Sequence, residues 1–145
     1  MKFNVSALPV GSALSEMIPG KFSMSEGKPV KASSSLSAGY KVSRAADGFH
    51  VEHADLSCLM AGLGEIVAGT FSNKRHVVPA MEFRGIMLDC SRNAVPSVSH
   101  SKEFIARLAL MGMNHFCFYT EDTYEVEGEP LIGYARGKIL KSEMR

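Results

Sequence analysis

Two short stretches gather residues able to do chemistry: Leu88-Asp89-Cys90-Ser91-Arg92 and Tyr119-Thr120-Glu121-Asp122. Each closes an apolar run with the character of a strand. In open α/β sheets and closed α/β barrels, ligands bind beyond the carboxyl ends of the strands. Carboxylates placed there orient sugar hydroxyls or tune a neighbouring acid. A plain structural role is equally open: Asp89 and Arg92 as an ion pair holding a loop, Glu121 and Asp122 as a solvated turn. Arg84 is flanked by apolar residues, and a charge in such a run needs a partner or a ligand, unless it sits at the start of the strand and reaches water.

Other candidates carry weaker signals. His50, Glu52, His53 and Asp55 combine metal-ligating types, but on a strand His50 and His53 point to opposite faces, so no metal site is expected. Cys90 and Cys117 fall on neighbouring strands, and His115 shares a face with Cys117. A thiol nucleophile needs such a basic partner, yet buried thiols acting as small apolar groups are the simpler reading. The acidic run Glu121, Asp122, Glu125, Glu127 and Glu129 lacks the spacing of a calcium loop.

The elements that would position these residues follow from periodicity. Tyr40 and Val42, then Phe49 and Val51, alternate with polar residues around Asp47-Gly48. That dipeptide predicts a tight hairpin whose two turn residues take positive φ. Asp55 is placed to cap a helix with Leu56, Leu59, Met60, Leu63, Ile66 and Val67 on one stripe, closed by Gly69. Gly62 and Gly64 weaken that helix unless another backbone packs closely there. Farther on, an apolar strand spans about 83–88, and Ser97 or Ser99 caps a helix with Phe104, Ile105, Leu108, Ala109 and Met111 buried. A second apolar strand spans 113–119. This strand–helix–strand unit predicts a right-handed crossover with parallel strands. Before Tyr40 the chain is Ser-rich and weakly patterned: 3–5 can open a strand, 12–18 can form a helical turn, and 31–37 reads as a loop or exposed edge.

The fold class expected is therefore α+β followed by α/β: a small α+β domain over 1–75, its first 37 or so residues poorly defined, then an incomplete α/β portion over 81–145 with about two parallel strands. The chain has 145 residues, 46% of them hydrophobic and 21% charged, with a formal net charge of +1. That balance argues against nucleic acid as a partner, because phosphate binding needs a basic surface. No run approaches the ~18 apolar residues of a membrane span, so no membrane partner is expected. The first ten residues are too polar for a signal peptide, which predicts a cytoplasmic location. The three cysteines do not make a disulfide framework, and no cofactor is expected.

From Phe83 to Lys138 the sequence resembles the opening of the catalytic barrel of family 20 glycoside hydrolases, the β-N-acetylhexosaminidases. The motifs are Arg84-Gly85-x-Met87-Leu88-Asp89-x-Ser91-Arg92, Met111-Gly112-Met113-Asn114, Tyr119-Thr120-Glu121-Asp122-Thr123-Tyr124-Glu125 and Gly133-Tyr134-x-Arg136-Gly137. The resemblance implies a (β/α)8 TIM barrel and removal of terminal N-acetylhexosamine from glycans. The 2-acetamido group of the substrate would attack the anomeric carbon, an Asp would orient it, and an adjacent Glu would protonate the leaving oxygen. It further implies sugar-hydroxyl binding by Arg84 and an acidic network through Glu121 and Asp122. Tyr134 and Arg136 match a bacterial branch without an implied role. The catalytic Asp-Glu pair of that family follows the fourth strand of a ~250-residue barrel, so no catalytic residue is expected in this chain. The alternative reading is a non-catalytic module that binds a carbohydrate or protein and self-associates through open barrel edges.

Overall fold

The structure is a computed structural model that describes residues 1–92, 95–134 and 136–144. Its strands form two separate sheets. The first contains β1 (Phe3–Asn4), β2 (Phe22–Ser23), β3 (Lys28–Ser34), β4 (Tyr40–Arg44), β5 (Phe49–His53) and β6 (Lys74–Val77), in the order β2-β1-β3-β5-β4-β6. β1, β2, β3 and β5 pair in parallel, and β4 runs antiparallel to both β5 and β6. The helices are α1 (Gly11–Met17), α2 (Leu56–Ala68) and α3 (Val98–Leu110). The second sheet contains β7 (Gly85–Asp89) and β8 (His115–Tyr119), paired in parallel from Gly85↔His115 to Asp89↔Tyr119. A 3-10 turn spans Lys141–Met144.

The alternating runs at 40–44 and 49–53 become β4 and β5 because Tyr40, Val42, Phe49 and Val51 all turn into one core. Asp55 caps α2 as expected: its carboxylate accepts from the Cys58 N–H at 2.8 Å and from the Ser57 hydroxyl. Gly69, at φ 67°, closes the helix. Leu59, Leu63 and Ile66 of α2 are buried with Phe3, Val5, Leu14, Phe22 and Val30. Phe3 meets Phe49 edge-on at 5.8 Å, and Phe49 meets Phe71 at 6.2 Å.

In the N-terminal stretch β1 and α1 stand where the strand at 3–5 and the helical turn at 12–18 are expected, but the stretch from 31 departs from expectation. It is built into the core, and β3 lies between β1 and β5 instead of at an exposed edge. Only Val30 of β3 is fully buried, with Ala32 half-buried, so Ser and Lys on the outer face mask the alternation. The hairpin turn also differs. Arg44 pairs with Phe49 across a four-residue loop closed by Ala45 N–H donating to the Gly48 carbonyl at 3.0 Å. Neither Asp47 nor Gly48 takes positive φ. A side chain at Gly48 would instead run into the Pro29 carbonyl of the neighbouring β3.

Ser97 caps α3, accepting from His100 N–H at 3.3 Å. The buried stripe of α3 is narrower than its sequence predicts: Ala106 and Leu108 are buried, whereas Ile105 and Met111 are exposed. Two strands cannot cover a full helix face. Ile86, Leu88, Phe116 and Phe118 are half-buried, with Phe116 edge-on to Phe104 of α3 at 5.9 Å. The opposite face of the sheet, with Met87, Cys117 and Tyr119, lies open. The helices hold the two sheets together at Gly64, whose Cα faces the Leu110 carbonyl at the end of α3 so closely that a Cβ would collide with it. Gly64→Ala gains helix propensity but forces α2 and α3 apart. We expect a net loss of about 1–3 kcal/mol, read as a Tm lowered by at least about 4 °C in thermal unfolding. An unchanged or raised Tm would contradict this backbone contact.

Candidate functional site

The parallel pairing sets the carboxyl ends of β7 and β8 side by side, and the polar residues beyond them form one cluster. Asp89, the last residue of β7, accepts from the Ser91 N–H at 2.7 Å and from the Ser91 hydroxyl. These two bonds, with smaller contributions from Arg92 and Arg136, hold the Asp89 carboxyl below the usual carboxylate range. Ser91 is buried, and Cys90 is fully buried with its N–H donating to the Tyr119 carbonyl at 2.9 Å. Burial, followed by the nearby Asp89 charge, pushes the Cys90 thiol up, the wrong direction for a nucleophile.

Arg92 projects into solvent with Nη2 3.8 Å from Glu121 Oε1. The ion pair expected between Asp89 and Arg92 is thus replaced: Ser91 claims Asp89 from within the same turn, and Arg92 crosses to the neighbouring strand end. Glu121 also accepts from the Tyr119 hydroxyl at 3.3 Å, and its φ of 46° is the one positive value at a non-glycine among the described residues. Asp122 accepts from Arg136 Nη1 at 2.8 Å, while Arg136 Nη2 donates to the Cys90 carbonyl at 2.7 Å. Tyr134 is exposed two residues before Arg136. The structure therefore gathers Asp89, Ser91, Arg92, Glu121, Asp122 and Arg136 at one edge. Sequence reasoning had no role for Arg136 or Ser91; Arg136 meets a partner 46 residues away, beyond any local signal.

Arg84 lies elsewhere. It precedes β7, roughly 16 Å along the strand from Asp89. Its guanidinium donates to the carbonyls of Gly112 (2.8 Å), Met81 and Glu82, and to the Ser57 hydroxyl of α2. Asn114 completes the arrangement: it accepts from the Arg84 N–H at 2.9 Å, donates its N–H to the Arg84 carbonyl at 2.8 Å, and caps the Glu82 carbonyl. The Arg84-Gly85 and Met113-Asn114 motifs thus join the starts of β7 and β8 to each other and to α2. An Arg with its fork committed to main-chain carbonyls has few donors left for a sugar.

A cleft of about 640 Å³ opens on that same side, lined by Tyr40, Glu65, Arg75, Arg84 and Gly112. Its polar groups satisfy one another: Glu65 accepts from Tyr40 Oη (3.1 Å) and Thr70 Oγ1, and forms an ion pair with Arg75, whose Nε lies 3.3 Å away. Burial, then the Glu65 charge, pushes the Tyr40 hydroxyl up to about 12. His50 contacts Ser33 Oγ through Nε2 at 3.2 Å. No group of three or more His, Cys, Asp or Glu side chains able to hold a metal occurs among the described residues, and among them no helix is long and apolar enough to cross a membrane.

Ser91→Ala removes the larger cause of the Asp89 shift, so the Asp89 carboxyl should titrate closer to its ordinary value. The sign follows from the depression: stability from ionised Asp89 is present above its unfolded value and lost as pH falls through the lower folded value. The variant should therefore lose that contribution at a higher pH than the wild type. Carbon-detected NMR titration of Asp89 measures this, and an unmoved midpoint would contradict the Ser91 assignment.

No protein-family model and no curated relative matches the chain. Solved structures do match. The exo β-N-acetylglucosaminidase of Vibrio harveyi, a family 20 glycoside hydrolase solved with N-acetylglucosamine, is 18% identical with a TM-score of 0.65; the match covers 99% of this chain and 29% of that one. The family 20 β-N-acetylhexosaminidase of Streptomyces coelicolor A3(2) is 18% identical with a TM-score of 0.66, over 98% of this chain and 37% of that one. The Streptomyces plicatus N-acetyl-β-hexosaminidase is 15% identical with a TM-score of 0.68, with the same coverage. The chain spans little more than a third of these enzymes at most. Over nearly all its length it has the fold of their N-terminal region.

Proposed function

We propose that this chain is the leading portion of a family 20 β-N-acetylhexosaminidase, an enzyme removing terminal N-acetylhexosamine from glycans with help from the substrate's own acetamido group. In this reading residues 1–75 form the small α+β domain, and 81–145 supply the first strand–helix–strand of a TIM barrel. The observation that carries it is the parallel β7–β8 pair with a mixed acidic and basic cluster at its carboxyl edge, the edge at which barrel enzymes bind substrate. The cluster would hold sugar hydroxyls: Glu121 and Asp122 accept, and Arg92 donates. The hydroxyl-binding role attached to Arg84 passes to Arg92, because Arg84 is at the wrong end of the strand. Bond cleavage belongs to an Asp-Glu pair outside these residues.

A second reading is supported by the open face of the small sheet, where Met87 is 64% exposed, and by Phe83, 65% exposed and stacked on His115. A non-catalytic binding module would cover that face by self-association. A discrete dimer by sedimentation would favour the module.

The test of the first reading is an NMR titration of the chain with N-acetylglucosamine. Amide shifts should concentrate at 89–92 and 119–122, weaken several-fold in Arg92→Ala, and persist in Arg84→Ala. Shifts centred on Arg84, or an Arg92→Ala variant that binds as the wild type does, would overturn it.

A further inference from the structure

We propose that Arg136 is a positioning residue of this edge: it ties the loop after β8 to the end of β7 and so fixes how Arg92 and Glu121 face a ligand. Its purpose rests on the sugar-binding reading above; the tie itself stands on geometry. One planar guanidinium serves two loops at once, Nη1 on Asp122 and Nη2 on the Cys90 carbonyl. A lysine ammonium has no such fork. The Arg136–Asp122 pair is partly exposed and weak as an ion pair. The bond to the carbonyl of fully buried Cys90 is the stronger arm.

Both acceptors are anchored on their far sides. Cys90 extends the ladder to Tyr119, and Asp122 leads into Thr123, fully buried, whose N–H and hydroxyl both donate to the Thr120 carbonyl. The segment bearing Arg136 is pinned on either flank. Gly133, at φ 70°, lies so close to the Asp122 carbonyl that a Cβ would come within 2.8 Å of it. Ile139 N–H donates to the Thr123 carbonyl at 2.9 Å, and Glu125 N–H donates to the Ile139 carbonyl at 3.0 Å. Glu121 is thus held in a left-handed conformation that a non-glycine residue keeps only when its surroundings impose it. Arg136, gripping the very next residue, adds a side-chain restraint from a distant segment to that conformation.

Amide hydrogen exchange on Arg136→Ala and Arg136→Lys, followed by titration with N-acetylglucosamine, tests this. In Arg136→Ala the amides of Cys90, Thr123, Glu125 and Ile139 should exchange about tenfold faster, while Val42 and Val51 in the six-stranded sheet keep wild-type rates. Arg136→Lys, with one arm at most, should fall between. The sugar-induced shifts at Arg92 and Glu121 should vanish in Arg136→Ala and return in part in Arg136→Lys. Wild-type exchange at the four amides in Arg136→Ala overturns the assignment whether or not sugar binds. Faster exchange with the shifts retained overturns the positioning role. Faster exchange in a protein whose wild type ignores the sugar supports the tie and overturns the sugar-binding reading instead. If Val42 and Val51 also lose protection in Arg136→Ala, the four amides of Arg136→Lys decide: wild-type rates there overturn the assignment, and intermediate rates support it.

Discussion

The parallel pairing of β7 and β8 is the constraint on which the rest depends. Two adjacent parallel strands cannot be joined by a tight turn, so the chain must cross over, and α3 is that crossover. The geometry returns β8 in the same direction as β7 and sets both carboxyl ends on one edge. Asp89 and Glu121, far apart in sequence, become neighbours for this reason alone. An antiparallel pair would put residues 120–122 beside Arg84 and leave Asp89 facing His115. At the opposite end Arg84 and Asn114 lock the register through their own main chains and through Gly112.

A two-stranded sheet is not self-supporting. Here it borrows stability from the six-stranded sheet and its helices. α3 lies against α2 through the Gly64 approach, and Arg84 reaches the Ser57 hydroxyl at the first turn of α2. What is left over is the open face with Met87, Cys117 and Tyr119 and, among the described residues, two unpaired strand edges. Under the barrel reading proposed above, further strands would pair at those edges. The chain spans only 28–37% of the solved enzymes it matches.

Much of this was legible in the sequence where a period was long enough to repeat. β4, β5, α2 and α3 each show several turns of alternation or stripe, with caps at Asp55 and Ser97. β7 and β8 show as apolar runs flanking a helix. The misses have physical causes. β2 is two residues long, too short for any period. β6 is an edge strand, and its Lys74, Arg75 and His76 guard the edge from further pairing, so it carries no apolar alternation to read. At Asp47-Gly48 the hairpin closes over the four residues 45–48, so the dipeptide does not form the two-residue turn its types suggest. At the site, residue types were readable but partners were not. Ser91 is close enough to take Asp89 before Arg92 can, while Arg136 arrives from a segment whose path no local pattern encodes.

The most direct measurement is the strand direction in solution. Cross-strand nuclear Overhauser effects between 85–89 and 115–119 should follow the parallel register, with Gly85 beside His115 and Asp89 beside Tyr119. Short Hα–Hα contacts joining Gly85 to Tyr119 and Asp89 to His115 would mean an antiparallel pair, and the shared carboxyl edge would not exist.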